Sequence, residues 1–253
     1  MKIRARIFVD EPLFKDAHIE APAHIAHYLN GVMRLKNGEY ITLFNGKDGL
    51  WLAEFSSTSR RSCSLYILEQ IQTQPADTPS ITLNFALLKK TPTDFLIQKA
   101  TELGATHFQP IITERTQSDK IKIERIKDQI IEASEQCERL DIATIAEPIL
   151  LNSLLGSLNK QTPLIYGNET GQGVPISQLL TTDKSFKDIY FLIGPEGGFS
   201  PQELEILKAH NYTTSVGLGP RILRAETAAI TMLTAFQLYQ GDWSQMPKWS
   251  LTS

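Results

Sequence analysis

Apolar positions along the chain follow two rhythms. In residues 1–72 they come in short strand-like runs: residues 4–9 alternate with period two, and residues 63–68 do so again. Ile41-Thr42-Leu43-Phe44 and residues 50–55 flank residues 45–49, whose Asn-Gly pair is a hairpin signal. One helical pattern, around residues 24–33, interrupts these strands. Residues 70–80 (QIQTQPADTPS) are polar, carry two prolines and read as a linker. From Ile81 onward, strand runs alternate with helical ones. Residues 81–88, 106–112, 144–147, 164–167, 189–193 and 213–216 read as strands. A helix starts at Thr91-Pro92-Thr93-Asp94, runs to Leu103 and stops at Gly104. A longer amphipathic one, over about residues 120–139, places Ile123, Ile126, Ile130 and Cys137 on or near one face. The last helix opens near Glu226. Such alternation predicts an α/β unit with a parallel sheet covered on both faces.

Three strand-end turns stand out. After residues 189–193 comes Gly194-Pro195-Glu196-Gly197-Gly198-Phe199-Ser200-Pro201-Gln202-Glu203. Ser200 is a good N-cap, Pro201 suits the first helical position and Glu203 completes a capping box, so the order is strand, glycine-rich turn, helix. A phosphate-binding loop would need a lysine after its glycines, and a dinucleotide fingerprint would need G-x-G-x-x-G; neither spacing occurs, and Glu196 repels a pyrophosphate. Adenine, a ribose or a cationic group fits better, with a plain tight turn as the alternative. The other two turns are Tyr166-Gly167-Asn168-Glu169 and the stretch from Val216 to Thr227 (VGLGPRILRAET). Singly, each is an ordinary βα connection. Together they predict a pocket, because parallel sheets bind ligands outside the carboxyl ends of their strands.

Composition narrows the class. Of the 253 residues, 42% are hydrophobic and 21% charged, which excludes disorder and fibres. No apolar run approaches a membrane span, and MKIRARIFVD carries no long apolar core, so no membrane attachment is expected, while the use of only two cysteines points to a reducing cytoplasm. Only Cys63 and Cys137 are present, which rules out a disulfide framework. His24 and His27 have no third ligand at matching spacing, so no metal is expected. The net charge of -3 argues against wholesale nucleic-acid binding, but it is uneven: residues 1–72 hold nine Lys/Arg against eight Asp/Glu, and the rest hold sixteen against twenty. Local basic clusters therefore keep RNA contact open.

GPEGGFSPQE followed by LGPRILRAETA resembles the signature of the bacterial RsmE methyltransferases, which belong to the SPOUT superfamily and modify uridine at N3 in small-subunit ribosomal RNA. HIAHYLNGVMRLKNGEYITLFNGKDG is similar to the family's N-terminal segment, and KATELGATHFQPIITERTQ and EASEQCER to its middle, so the resemblance covers most of the chain. One departure is Glu138, which stands before Arg139 where the family usually has glycine. The resemblance implies an N-terminal PUA-like β-barrel over residues 1–72 that helps hold RNA. It also implies a C-terminal SPOUT parallel-sheet domain over residues 73–253, tied in a deep trefoil knot. S-adenosyl-L-methionine would be the cofactor, 16S ribosomal RNA of the small ribosomal subunit the substrate, and a homodimer the working form, with neither membrane nor metal. The alternative is a non-catalytic RNA- or nucleotide-binding protein of the same fold; the missing dinucleotide fingerprint counts against a nicotinamide-dependent oxidoreductase.

Carried onto this chain, the resemblance puts cofactor contacts at Tyr166, Gly167 and Glu169, at Ile193, Gly194, Pro195, Gly197 and Gly198, and at Leu218, Gly219, Ile222, Leu223 and Thr227. Uracil N3 becomes nucleophilic only as its proton leaves and charge spreads onto the flanking carbonyls, so the site needs a proton path and cationic donors. Arg224 and then Arg221 are the expected donors, a phosphate contact or a salt bridge with Glu226 being the other reading of either. Glu196 is expected to take the proton, hold the ribose hydroxyls or the ligand's amino group, or cap a helix. RNA contacts are expected at Arg4, Arg6, Arg34, Lys89 and Lys90, and at Arg115 and Arg139 contacts with RNA or with the catalytic pocket, with solvated side chains as the plain alternative. Phe199 is expected in the core.

Overall fold

The computed structural model describes residues 2–59, 61–76, 78–117, 120–181 and 186–243. The chain forms two compact units, Met1–Asp77 with Ser134–Ile142, and Thr78–Ala133 with Ala143–Ser253.

The first unit is built on a five-stranded sheet of β1 (Ile3–Phe8), β2 (His18–Glu20), β3 (Tyr40–Phe44), β4 (Leu50–Ser59) and β5 (Ser62–Gln72), in the order β1-β3-β4-β5-β2. Helix α1 (Ala23–His27) continues into a π-helical turn over Tyr28–Val32. β1 runs parallel to β3, and the other pairs are antiparallel. The period-two pattern has its expected result: Cys63, Leu65 and Ile67 of β5 are fully buried, together with Ile41 and Leu43 of β3 and Leu29 of the helical turn. Register shifts along the β4–β5 pair, between Leu50 and Trp51 and again between Leu52 and Ala53, are bulges of the kind that bend a sheet. The β3–β4 turn is held by Asn45, whose Oδ1 accepts the Lys47 and Asp48 N–H groups at 3.0 and 2.9 Å. β5 runs on to Gln72 and the next strand starts at Ser80, so the polar stretch between the units is shorter than its composition suggests.

The second unit contains β6 (Ser80–Ala86), α2 (Lys90–Glu102), β7 (His107–Ile112), α3 (Ile123–Gln136), β8 (Thr144–Ile145), β9 (Ile149–Leu150), α4 (Leu151–Ser157) and β10 (Leu164–Gly167). It continues with β11 (Val174–Pro175), α5 (Ile176–Leu180), β12 (Asp188–Ile193), α6 (Pro201–Lys208), β13 (Thr213–Gly217) and α7 (Ala225–Tyr239). All its strand pairs are parallel, in the order β11-β13-β10-β12-β6-β7-β8, with β9 beside β7. Adjacent residues of β12 show that both faces are covered. Phe191 meets Phe236 of α7 edge-on at 5.8 Å, whereas Leu192 belongs to a cluster with Leu151 and Leu155 of α4 and Leu207 of α6. α3 stops at Gln136, short of the expected Arg139, because Glu138 adopts φ +60, a left-handed conformation that no helix can propagate. The capping box of α6 is present: Ser200 Oγ accepts the Glu203 N–H at 3.2 Å, and Glu203 Oε2 accepts the Ser200 N–H at 2.8 Å. Among the described residues, no helix is long and apolar enough to cross a membrane.

Candidate functional site

Three turns leave the carboxyl ends of β10, β12 and β13, which are neighbours in the sheet, and they line one cavity of about 680 Å³. The first turn is fixed by Asn168, which is 6% exposed. Its N–H donates to Val216 O at 3.0 Å and its Nδ2 to Ser215 Oγ at 3.0 Å, while its Oδ1 accepts the Thr170 N–H and hydroxyl. One side chain thus ties the β10 turn to β13.

The second turn closes on itself through Gly198 N–H to Pro195 O at 2.9 Å. Gly198 has φ +68, and a Cβ there would collide with the Glu169 carboxylate of the first turn. A Cβ on Gly194 would sit 3.0 Å from the Phe199 ring. Phe199 is 2% exposed and packs edge-on against Tyr166, with centroids 6.4 Å apart, as a core residue under the turns. In the third turn Gly219 has φ +97, and a Cβ there would meet no atom within 4 Å, so its backbone faces open space. Ile222 is 90% exposed.

Gly167, Glu169, Ile193, Gly194, Pro195 and Gly198 line the cavity, as do Leu218, Gly219, Ile222 and Leu223. Three other expected contacts do not. Tyr166 is 1% exposed because strand alternation turns it into the core. Gly197 lies against the Arg115 side chain, and Thr227 sits on the exposed side of the first turn of α7, where its carbonyl accepts the Thr231 hydroxyl at 2.8 Å. Arg221, Arg224 and Glu196, the residues expected to carry the chemistry, all line the cavity and are exposed.

Lys89, expected on an RNA surface, lines the cavity too, with Pro92, from the start of α2. The connection between β6 and α2 carries no glycine signature that would tie it to the later turns. Thr170, Gly171, Pro220, Glu226 and Ala228 also line the cavity without having been expected there, each a near neighbour of a residue that the turns do point to. The cavity thus carries Lys89, Arg221 and Arg224 against Glu169, Glu196 and Glu226.

The remaining expected RNA contacts divide by environment. Lys90 and Arg34 are exposed, Arg34 at φ +54. Arg4 lies 3.5 Å from Glu39. Arg115 is exposed and donates from Nη1 to Gly197 O at 2.8 Å. Arg6 is turned inward: its Nη2 donates to Arg139 O at 2.9 Å and its guanidinium carbon stands 4.7 Å from the Phe44 ring centroid. Burial pushes the pKa of Arg6 down, against the opposing pull of Glu138, Cys137 and Glu135. The Arg139 guanidinium pairs with the Asp141 carboxylate.

Comparison with known proteins agrees with this geometry. Residues 75–237 match the family described as RNA methyltransferase domain, and residues 22–68 match the RNA methyltransferase PUA domain. The ribosomal RNA small subunit methyltransferase E of Rickettsia conorii is 36% identical over 92% of this chain and 95% of its own length. A methyltransferase from Legionella pneumophila, solved in complex with S-adenosylmethionine, superposes with a TM-score of 0.84 at 28% identity, covering 96% of this chain and 100% of that one. The ribosomal RNA small subunit methyltransferase E of Neisseria gonorrhoeae, bound to S-adenosylmethionine, gives 0.83 at 29% identity, covering 94% and 99%. With the methyltransferase sheet, the PUA domain and the strand-end cavity on one chain, the protein belongs to the ribosomal RNA small subunit methyltransferase E family.

Proposed function

We propose that the protein transfers the methyl group of S-adenosylmethionine to N3 of a uridine in the 16S ribosomal RNA of the small ribosomal subunit. The observation that carries this reading is the convergence of three glycine-bearing turns on a single cavity whose charged groups are balanced in sign. A pyrophosphate site would be predominantly cationic; an adenosine joined to a sulfonium and an amino acid has a use for both signs. The cavity volume falls within the roughly 300–1,000 Å³ usual for small-molecule sites, and the open backbone at Gly219 leaves room for a flat ring. The Legionella and Neisseria relatives, each with S-adenosylmethionine bound, support the assignment.

Backbone groups of the second and third turns would hold the adenine edge, with Ile193, Leu218 and Leu223 along its faces and Glu169 at the ribose hydroxyls. S-adenosylmethionine supplies a methyl group on a positively charged sulfur, open to in-line displacement. Arg224 offsets the charge that develops on the uracil carbonyl oxygens as N3 loses its proton, with Arg221 as a second donor, and Glu196 takes the proton. Residues 1–72, with residues 134–142 that fold into the same unit, act as the RNA-holding part and the rest of residues 73–253 as the catalytic one, with Arg4, Arg34 and Lys90 as phosphate contacts. The strand order supports a knotted chain: β12 lies between β6 and β10, while β13 lies on the far side of β10. A homodimer is supported by the exposed Leu238 and Tyr239 at the end of α7 and Trp243 just beyond it. Cys63 and Cys137, both thiols, support a reducing cytoplasm as the place of action.

The test is calorimetry with S-adenosylmethionine, followed by methylation of 30S subunits and of naked 16S RNA by the wild type and by Arg224→Ala. Methylation by the variant should fall by about 10²–10³ with little change in cofactor affinity. Equal losses in both would make Arg224 a ligand-binding residue and remove it from the chemistry.

A further inference from the structure

We infer that Glu203 and Arg115 are positioning residues, which clamp the 194–200 turn into its ligand-binding shape from outside the cavity lining; the inference rests on the cofactor reading above. Glu203 is 8% exposed, and a buried carboxylate needs its acceptor positions filled. Its two oxygens serve different segments. Oε2 accepts the Ser200 N–H at 2.8 Å, which is the ordinary work of a glutamate in a capping box. Oε1 accepts the Glu114 N–H at 2.8 Å, in the loop that follows β7, two strands away from β12. A capping box alone has no use for that second bond.

The receiving loop is itself locked. Thr113 N–H donates to Thr116 Oγ1 at 2.9 Å, and the two hydroxyls stand 2.8 Å apart. From the same loop Arg115 donates to Gly197 O at 2.8 Å, its stem lying along Gly197. The turn is thereby pinned at residues 197 and 200 to one fixed point, while Gly194, Pro195, Glu196 and Gly198 present themselves to the cavity. Glycine-rich backbone loses more conformational freedom on ordering than any other, and a turn ordered before the ligand arrives binds it more tightly.

Glu203→Gln separates the two tasks, because its single amide oxygen can keep the cap while its NH2 group faces the Glu114 N–H. Calorimetry with S-adenosylmethionine should give a dissociation constant about tenfold higher for Glu203→Gln and about threefold higher for Arg115→Ala. RNA affinity by filter binding should stay unchanged in both variants. Glu205→Gln, on the same helix but exposed and paired with Lys208, should bind cofactor like the wild type. Wild-type affinity in both test variants overturns the inference, as does an Arg115→Ala protein that loses RNA binding and keeps cofactor binding. If Glu203→Gln does not fold, Arg115→Ala decides, since its exposed side chain can be removed without unfolding the protein. A wild type that fails to bind S-adenosylmethionine would instead remove the cofactor reading itself.

Discussion

Replacing Gly198 with alanine perturbs the point where the first and second turns touch. Two effects add. Gly198 stands at φ +68, where a Cβ costs about 1–2 kcal/mol. The new methyl group would also collide with the Glu169 carboxylate, so either that side chain or the turn must move. Gly219→Ala provides the comparison, because Gly219 has φ +97 but nothing within 4 Å of an added Cβ, leaving the backbone term alone. For a chain of this size about 1 kcal/mol shifts the melting temperature by about 2–4 °C, so Gly219→Ala should lose about 2–8 °C and Gly198→Ala more. The variants should separate further in S-adenosylmethionine calorimetry: Gly198→Ala displaces a cavity wall and should weaken binding by at least about tenfold. Adding Glu169→Ala to Gly198→Ala should recover the part of the melting temperature lost to the collision, while leaving the backbone part. A Gly198→Ala protein that melts and binds cofactor like the wild type would refute the contact between the two turns.

Three further outcomes follow from other parts of the fold. Glu138→Gly relieves a left-handed non-glycine residue and should raise stability in urea by about 1 kcal/mol; Glu138→Ala, which removes the charge beside Arg6 without relaxing the backbone, should lower it, and the opposite order would contradict the reading. Burial pushes the Cys63 thiol up to about 11 and leaves it fully covered, whereas Cys137 is exposed, so iodoacetamide at mild alkaline pH should label one site in the native protein and two in denaturant. Labelling of Cys63 in the native state would contradict the packing. The Leu13 N–H and the Asn45 amide hold the Asp48 carboxyl below its usual range, so its contribution to stability is complete above about pH 4 and is lost as pH falls through the lowered value. Asp48→Asn should flatten that acid dependence, read from the fluorescence of Trp51, whose indole donates to Asp48 O; an unchanged acid limb would remove Asp48 as its source.

Elements with several periods of pattern are legible in the sequence, and so are those with an explicit stop or start. The hairpin of β3 and β4, the capping box of α6 and the end of α2 at Gly104 are of this kind. β2 has three residues, of which only Ile19 is buried, and β9 and β11 have two each, too few to show a period. At the site, glycines flag the three turns because glycine is what close backbone approach requires. Lys89 and Pro92 reach the same cavity from a connection roughly a hundred residues earlier, where nothing local announces a ligand. Adjacency to a turn also misleads: Tyr166 is beside the cavity in sequence, yet pleat alternation turns it into the core. For the arginines, sequence supplies the charge and not the partner. Arg6 and Arg139 direct theirs at Arg139 O, Phe44 and Asp141 within one unit.

Nucleotide mass mapping of 16S RNA, after incubation of the purified protein and S-adenosylmethionine with small subunits from cells lacking it, addresses the proposed reaction most directly. The reading predicts a single added methyl group at N3 of one uridine, absent when cofactor is withheld and strongly reduced with Arg224→Ala. RNA left unmodified by a protein that binds the cofactor, or a methyl group at any other atom, would contradict it.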